Sequence, residues 1–71
     1  MTADEHLAWA KARALEYVDR GDLQNAVASM ASDLTKHGAF RGASYQRATL
    51  IGSSEISKGA EAVRRWINGF N

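Results

Sequence analysis

The strongest constraint on this 71-residue chain is a three-residue connection between two stretches that both have the apolar spacing of a helix. Gly21 can adopt the left-handed conformation that ends a helix. The carboxylate of Asp22 can accept hydrogen bonds from the first amides of the next helix. Because helices joined by Arg20, Gly21 and Asp22 alone must fold back on each other, the sequence predicts an antiparallel helical hairpin.

Apolar residues on both sides of this connection follow the period of a helix. The first helix is predicted over residues 3–19, where every residue is a tolerable or good helix former behind a capping box of Thr2 and Glu5. The second is predicted over residues 22–37, with Gly38 placed to end it. The residues expected to line the hairpin interior are Leu7, Ala10, Ala14, Val18, Leu23, Ala26, Val27, Met30, Ala31 and Leu34.

The second half of the chain predicts one clear helix and one short one. Ser57 is placed to cap a helix over residues 57–69, and a short helix over residues 44–51 is expected to end at the Gly52-Ser53-Ser54 run. Phe40, in the loop before the short helix, is expected to fold back over the open end of the hairpin. The residues predicted to form the apolar side of the last helix are Ala60, Val63, Trp66, Ile67 and Phe70.

These elements define an all-α fold in a single domain over residues 1–71. The predicted architecture is a small bundle of three main helices, at about 3–19, 22–37 and 57–69, with a short helix at about 44–51. Alanine supplies much of the 45% hydrophobic content, so we expect a thin core with closely spaced helices.

Composition excludes several kinds of site. The chain has no cysteine and can therefore form neither a disulfide nor a thiolate zinc site. No apolar run approaches the roughly 18 residues of a membrane span, and the amino terminus MTADEHL is acidic where a secretory signal is basic. We therefore expect a cytoplasmic protein that does not enter a membrane.

Three sequence blocks resemble a group of short proteins of unknown function encoded by bacteriophages and prophages of actinobacteria. The blocks are WAKARALEYVDRGDL, NAVASMASDLTKH and AVRRWINGFN, which begin at Trp9, Asn25 and Ala62. The resemblance implies an all-helical phage protein in the host cytoplasm and supplies no catalytic residues. Residues 42–54, GASYQRATLIGSS, are more polar than the strongly apolar helix that the group usually has there.

The first two helices also resemble one tetratricopeptide-type hairpin locally. Ala14, Tyr17, the Gly21-Asp22-Leu23 turn and Ala26 have the order and spacing of such a repeat. No second copy follows, and the closing proline is absent. We interpret this likeness as shared hairpin geometry.

No catalytic or cofactor motif is present. His6 and His37 are the only imidazoles. Asp33 and His37, one helical turn apart, could place two ligands on one face, which is too few for a structural zinc site. No serine stands in a nucleophile elbow, and the run that begins at Gly52 lacks essential residues of a phosphate-binding loop. We therefore predict no metal, no cofactor and no enzymatic activity.

Protein binding is the function that the sequence favours. Trp9 lies on the side of the first helix opposite its apolar sector, close to Arg13 and Glu16. Tryptophan and arginine are enriched in binding hot spots, so these three residues form the predicted protein-binding site. The partner could be a host protein, a phage replication or assembly protein, or a second copy in a homodimer. Phe40 or the carboxy-terminal tail could instead cover the indole.

Nucleic-acid binding is the alternative function. Residues 1–35 carry a net charge of −3 and residues 36–71 a net charge of +4. The candidate phosphate contacts in the basic half are Arg41, Arg47, Arg64 and Arg65. A total net charge of only +1 is much weaker than the basic surface typical of nucleic-acid-binding domains, so nucleic acid is the less favoured partner.

Overall fold

The computed structural model describes residues 2–70, so residues 1 and 71 of the predicted domain lie outside this range. Two single turns of 3-10 helix, Gly38–Phe40 and Ile56–Lys58, precede and follow the third helix, and residues 2–70 contain no β-strand. The all-α prediction is confirmed, with four helices where three main helices and one short helix were predicted. The helices are α1 (Ala3–Asp19), α2 (Leu23–Leu34), α3 (Ala43–Glu55) and α4 (Ala60–Asn68).

The hairpin of α1 and α2 forms as its caps predict. The Thr2 hydroxyl accepts from the Glu5 amide at 3.1 Å while the Glu5 carboxylate accepts from the Thr2 amide at 2.9 Å, which satisfies two free donors of the first turn. Gly21 has φ +77° in the connection, and the Asp22 carboxylate accepts from the Asn25 amide. The pairing of α1 with α2 is the most extensive contact between helices.

The core lies between this hairpin and α4. Ala10, Ala14 and Ala26 are completely buried, and their small side chains allow α1 and α2 to approach closely. Phe40 is buried and folds back over the open end of the hairpin, as predicted, whereas Leu23 is only half-buried at the edge. The buried apolar cluster consists of Leu7, Ala10, Ala14, Val18, Ala26, Val27, Met30, Leu34, Phe40, Val63, Ile67 and Phe70.

The predicted end of the second helix and start of the last one are wrong by three residues. α2 ends at Leu34 because the chain turns there: His37 has extended backbone, and its ring Nδ1 accepts from the Ala39 amide to cap the next turn. The last helix begins at Ala60, since Gly59 has φ +101°, a left-handed conformation that interrupts the helix. Ser57, the predicted cap, instead donates its hydroxyl hydrogen to the Ser54 carbonyl.

The third helix is longer than predicted. It runs through Gly52 and continues to Glu55, although the Gly-Ser-Ser run was expected to end it. Gly52 is buried beneath the indole of Trp66, and a Cβ atom added there would lie 2.5 Å from Cζ2 of that ring. The indole Nε1–H donates to the Ala48 carbonyl at 2.7 Å. A glycine is thus required because α4 places a flat ring directly on the backbone of α3.

None of the helices within residues 2–70 has both the length and the apolar character needed to cross a membrane.

Candidate functional site

Trp9 does not lie on an uncovered side of α1. Its indole is half-buried against the core, and the Arg13 guanidinium lies 5.1 Å from the ring centroid. The Lys36 ammonium, which comes from just beyond α2, lies 5.8 Å from the same ring. The placement of Trp9 away from the hairpin was therefore wrong, because the helical wheel of α1 alone does not show that the chain after α2 turns back across it.

Asp33 is the charged centre of this end of the hairpin. Its side chain is almost completely buried and accepts from Arg13 Nε at 2.8 Å and from Lys36 Nζ at 3.0 Å. The Ser29 hydroxyl donates to the same carboxylate at 3.3 Å, and the His6 ring Nε2 bonds to the Asp33 backbone carbonyl. The charge of Arg13 is therefore used inside the molecule. From the sequence, Asp33 was considered only as a possible metal ligand beside His37, and its role as a buried partner of Arg13 and Lys36 was not predicted.

Opposing effects determine the pKa of Asp33. Burial is the largest of them and raises the pKa, because it disfavours the charged carboxylate. The hydrogen bond from Lys36 and the positive charges of Arg13 and Lys36 together outweigh burial, so the pKa of Asp33 lies below its ordinary value. The folded protein therefore favours the ionised carboxylate.

We expect Asp33→Asn to lower the free energy of unfolding by about 1–2 kcal/mol at pH 7, since it removes charge-assisted hydrogen bonds to a buried acceptor. A folded pKa below the unfolded one stabilises the protein above the unfolded value of 3.8, and this stabilisation is lost as pH falls through the folded pKa. Urea unfolding of both proteins between pH 7 and pH 2.5 measures this loss. The pKa of Glu5 is also lowered by its bonds to Thr2, but this group is present in both proteins. A difference in stability that stayed constant down to pH 2.5 would contradict the role assigned to Asp33.

The two histidines belong to an aromatic cluster. The ring centroids of His6 and His37 lie 5.4 Å apart, and Phe40 stacks on His6 at 6.2 Å. The rings of Phe40 and Tyr45, at the start of α3, are nearly perpendicular, with their centroids 5.2 Å apart. This cluster fastens the loop after α2 to the open end of the hairpin. Across residues 2–70, no three or more His, Cys, Asp or Glu side chains are grouped to hold a metal ion.

The structure does not bring the four predicted phosphate contacts together as free cations. Arg41 donates from Nε to the Thr35 carbonyl at 2.8 Å, and Arg64 pairs with Asp19 of α1 at 3.2 Å. Arg47 on α3 and Arg65 on α4 are exposed and form no ion pair with an acidic side chain of residues 2–70. Two of the four are thus engaged in holding the fold.

The exposed apolar surface lies on α3. Leu50 is 75% exposed and Ile51 is 54% exposed, and they are the exposed large hydrophobic residues of the described chain. Adjacent residues in a helix point about 100° apart, so the two side chains face neighbouring depressions. We call Leu50, Ile51 and these two depressions the α3 face.

The two depressions have different walls. Leu50 borders a groove of about 440 Å³ between α2 and α3, and Ile51 borders a hollow of about 100 Å³ between α3 and α4. The groove is lined by Gln24, Val27, Ala28, Ala31, Thr49, Leu50, Ser53 and Ile56. The hollow is lined by Ala48, Ile51, Trp66, Gly69 and Phe70.

Sequence reasoning missed the α3 face because the apolar positions of residues 44–51 spread around the helix axis. The sequence of α3 alone does not show whether Leu50 and Ile51 point into the core or into solvent, because two adjacent apolar residues can share the buried face of a helix.

Known proteins add nothing to this geometry. Comparison of the chain with protein-family models, with curated proteins and with solved structures finds no match.

Proposed function

We propose that this chain is a small phage or prophage accessory protein of the host cytoplasm that acts stoichiometrically, by binding another protein through its α3 face. The observation that carries the proposal is the exposure of Leu50 and Ile51 side by side, at 75% and 54%. Contiguous apolar side chains beside a groove are typical of protein interaction sites and favour aggregation when nothing covers them. Binding a host or phage protein buries them.

The α3 face is a better candidate than the site predicted from the sequence on α1, because the α1 residues already make contacts within the fold. Arg13 is paired with buried Asp33 at 2.8 Å, and Trp9 is half-buried under Arg13 and Lys36. Glu16 is exposed on α1. Opening this arrangement for a partner would leave the Asp33 carboxylate without its ion pairs, which carries a desolvation cost. Protein binding by Trp9, Arg13 and Glu16 stays a prediction. Variants of each surface distinguish binding through α1 from binding through the α3 face.

We expect Leu50→Gln with Ile51→Gln to abolish partner binding while leaving the fold intact. Glutamine is as good a helix former as leucine, and exposed substitutions of this kind change the free energy of unfolding by about 0.5 kcal/mol or less. Affinity capture from the producing cell, with the parent protein and the variant as baits, measures the loss. The matched control is Trp9→Ala with Arg13→Ala, which alters the other surface and should retain the partner if it remains folded by circular dichroism.

Sedimentation velocity of the purified parent and variant distinguishes a foreign partner from a second copy. A folded Leu50→Gln, Ile51→Gln protein that retained every specific partner would show that the α3 face is not the interface. If only the Trp9→Ala, Arg13→Ala variant lost the partner, the binding site would lie on α1.

A further inference from the structure

The hollow beside Ile51 is built to take an apolar group. Its walls are the side chains of Ala48, Ile51, Trp66 and Phe70 with the backbone of Gly69. The polar atom that could have faced a ligand, the indole Nε1–H of Trp66, already donates to the Ala48 carbonyl at 2.7 Å. A polar or charged group placed in this hollow would lose its water without gaining a hydrogen bond from the indole.

Positive charge borders the hollow. Arg47 lies one helical turn before Ile51 and therefore on the same side of α3. Arg65 precedes Trp66 and lines the adjoining depression with Glu55, Lys58 and Ala62. Of the acidic groups nearby, Glu55 is paired with Lys58 at 3.5 Å, and Glu61 faces a depression that it shares with Arg64 and Arg65. Neither Arg47 nor Arg65 forms an ion pair within residues 2–70.

We propose that the α3 face binds an acidic amphipathic helix of the partner protein. This inference rests on the proposed function and specifies the chemistry of the partner. Apolar side chains on one side of the helix pack against Leu50 and enter the hollow at Ile51, in the manner of helix-in-groove recognition. Aspartate or glutamate residues at its edge pair with Arg47 and Arg65, which are exposed and form no ion pair within residues 2–70.

The surroundings favour a helix over the other common peptide conformations. An extended strand binds by adding to an exposed sheet edge, and residues 2–70 contain no sheet. A polyproline segment binds in a groove lined by aromatic rings, whereas the groove at Leu50 is lined by aliphatic and small polar side chains. The phosphates of a nucleic acid could pair with the arginines, but they would not bury the apolar side chains of Leu50 and Ile51.

Selection of peptides on the whole protein tests this inference. A display library of randomised helical peptides, roughly four turns long, is selected against the immobilised parent and counter-selected against the Leu50→Gln, Ile51→Gln variant. We expect the recovered peptides to combine apolar residues at i, i+3 or i+4 with a net negative charge. In a Trp9→Phe background, the fluorescence of Trp66 reports directly on occupation of the hollow.

Charge variants then test the role of the arginines. Arg47→Ala with Arg65→Ala should weaken the selected peptides by roughly fivefold, the effect expected of two exposed ion pairs. Arg20→Ala, an exposed arginine in the α1–α2 connection, is the matched control and should leave binding unchanged. Arg47→Glu with Arg65→Glu should reverse the preference toward peptides in which lysine replaces the acidic residues.

The possible outcomes are distinct. Peptides that need Leu50 and Ile51 but show no acidic bias and no dependence on the arginines would overturn this inference and keep the proposed function. If no peptide binds the parent better than the Leu50→Gln, Ile51→Gln variant, both this inference and the proposed function are wrong. A duplex DNA or RNA oligonucleotide that binds at about 150 mM salt, weakens steeply with added salt and is lost only in the arginine variant would identify a nucleic-acid surface instead. A dimer of the parent that the glutamine variant dissociates would identify a second copy as the occupant.

Discussion

Leu34→Ala is expected to lower the free energy of unfolding by about 2–5 kcal/mol, the usual result of emptying a buried leucine site. Leu34 is completely buried near the end of α2, where the hairpin and the loop that carries Phe40 meet. A domain of this size has a total stability of about 4–10 kcal/mol, so this change removes a large part of that stability and lowers the urea midpoint. Urea unfolding, monitored by circular dichroism, measures the free energy of unfolding of the parent and of the variant.

The chain supplies a matched control for this prediction. Leu50→Ala makes the same chemical change at a residue that is 75% exposed, where almost no burial is lost. We expect that variant to unfold at the urea concentration of the parent. Equal midpoints for Leu34→Ala and Leu50→Ala would show that the core has been misplaced.

Gly52→Ala is expected to destabilise the protein by roughly 1–3 kcal/mol, as overpacking of a filled site does. The new methyl group would lie 2.5 Å from Cζ2 and 2.7 Å from Cε2 of Trp66. The indole must then move away and strain or break its hydrogen bond to the Ala48 carbonyl. This loss opposes the gain of up to about 1 kcal/mol that alanine normally brings to a helix interior. Thermal unfolding, with Trp66 fluorescence in a Trp9→Phe background, measures both the loss and the ring movement.

Ser53→Ala is the matched control for Gly52→Ala, because it separates the gain in helix propensity from the clash with Trp66. Ser53 is the next residue of α3 and is exposed, so alanine there improves helix propensity without touching the indole. We expect this control to match or slightly exceed the stability of the parent. A Gly52→Ala protein that was as stable as Ser53→Ala would mean that Trp66 does not pack on α3.

The hairpin was predictable because its determinants are local. The Thr2 and Asp22 caps, the left-handed Gly21 and the apolar period of α1 and α2 all act within a few residues, and each appears in the structure as expected. The extent of α3 was not predictable in this way. Gly52 has the character of a helix breaker in its own segment, and only Trp66, fourteen positions later in the chain, explains why the helix continues through it.

The candidate sites show the same division. The position of Trp9 was misjudged because the groups that cover it, Arg13 held by Asp33 and Lys36 beyond α2, are brought together by tertiary structure. The α3 face was missed for a related reason. Whether Leu50 and Ile51 point into a core or into solvent depends on which helices pack beside α3, and the sequence of α3 does not contain that information.

The sparse burial of α3 separates the stability of the fold from the composition of its exposed face. Gly52 is the only buried residue of this helix, so its outward positions can accept new side chains without opening a cavity in the core. Substitutions at Leu50, Ile51 or Arg47 therefore change the surface that we propose as the binding site far more than they change the stability of the fold. A lineage that must follow a changing binding target can then alter this face one residue at a time while every intermediate remains folded.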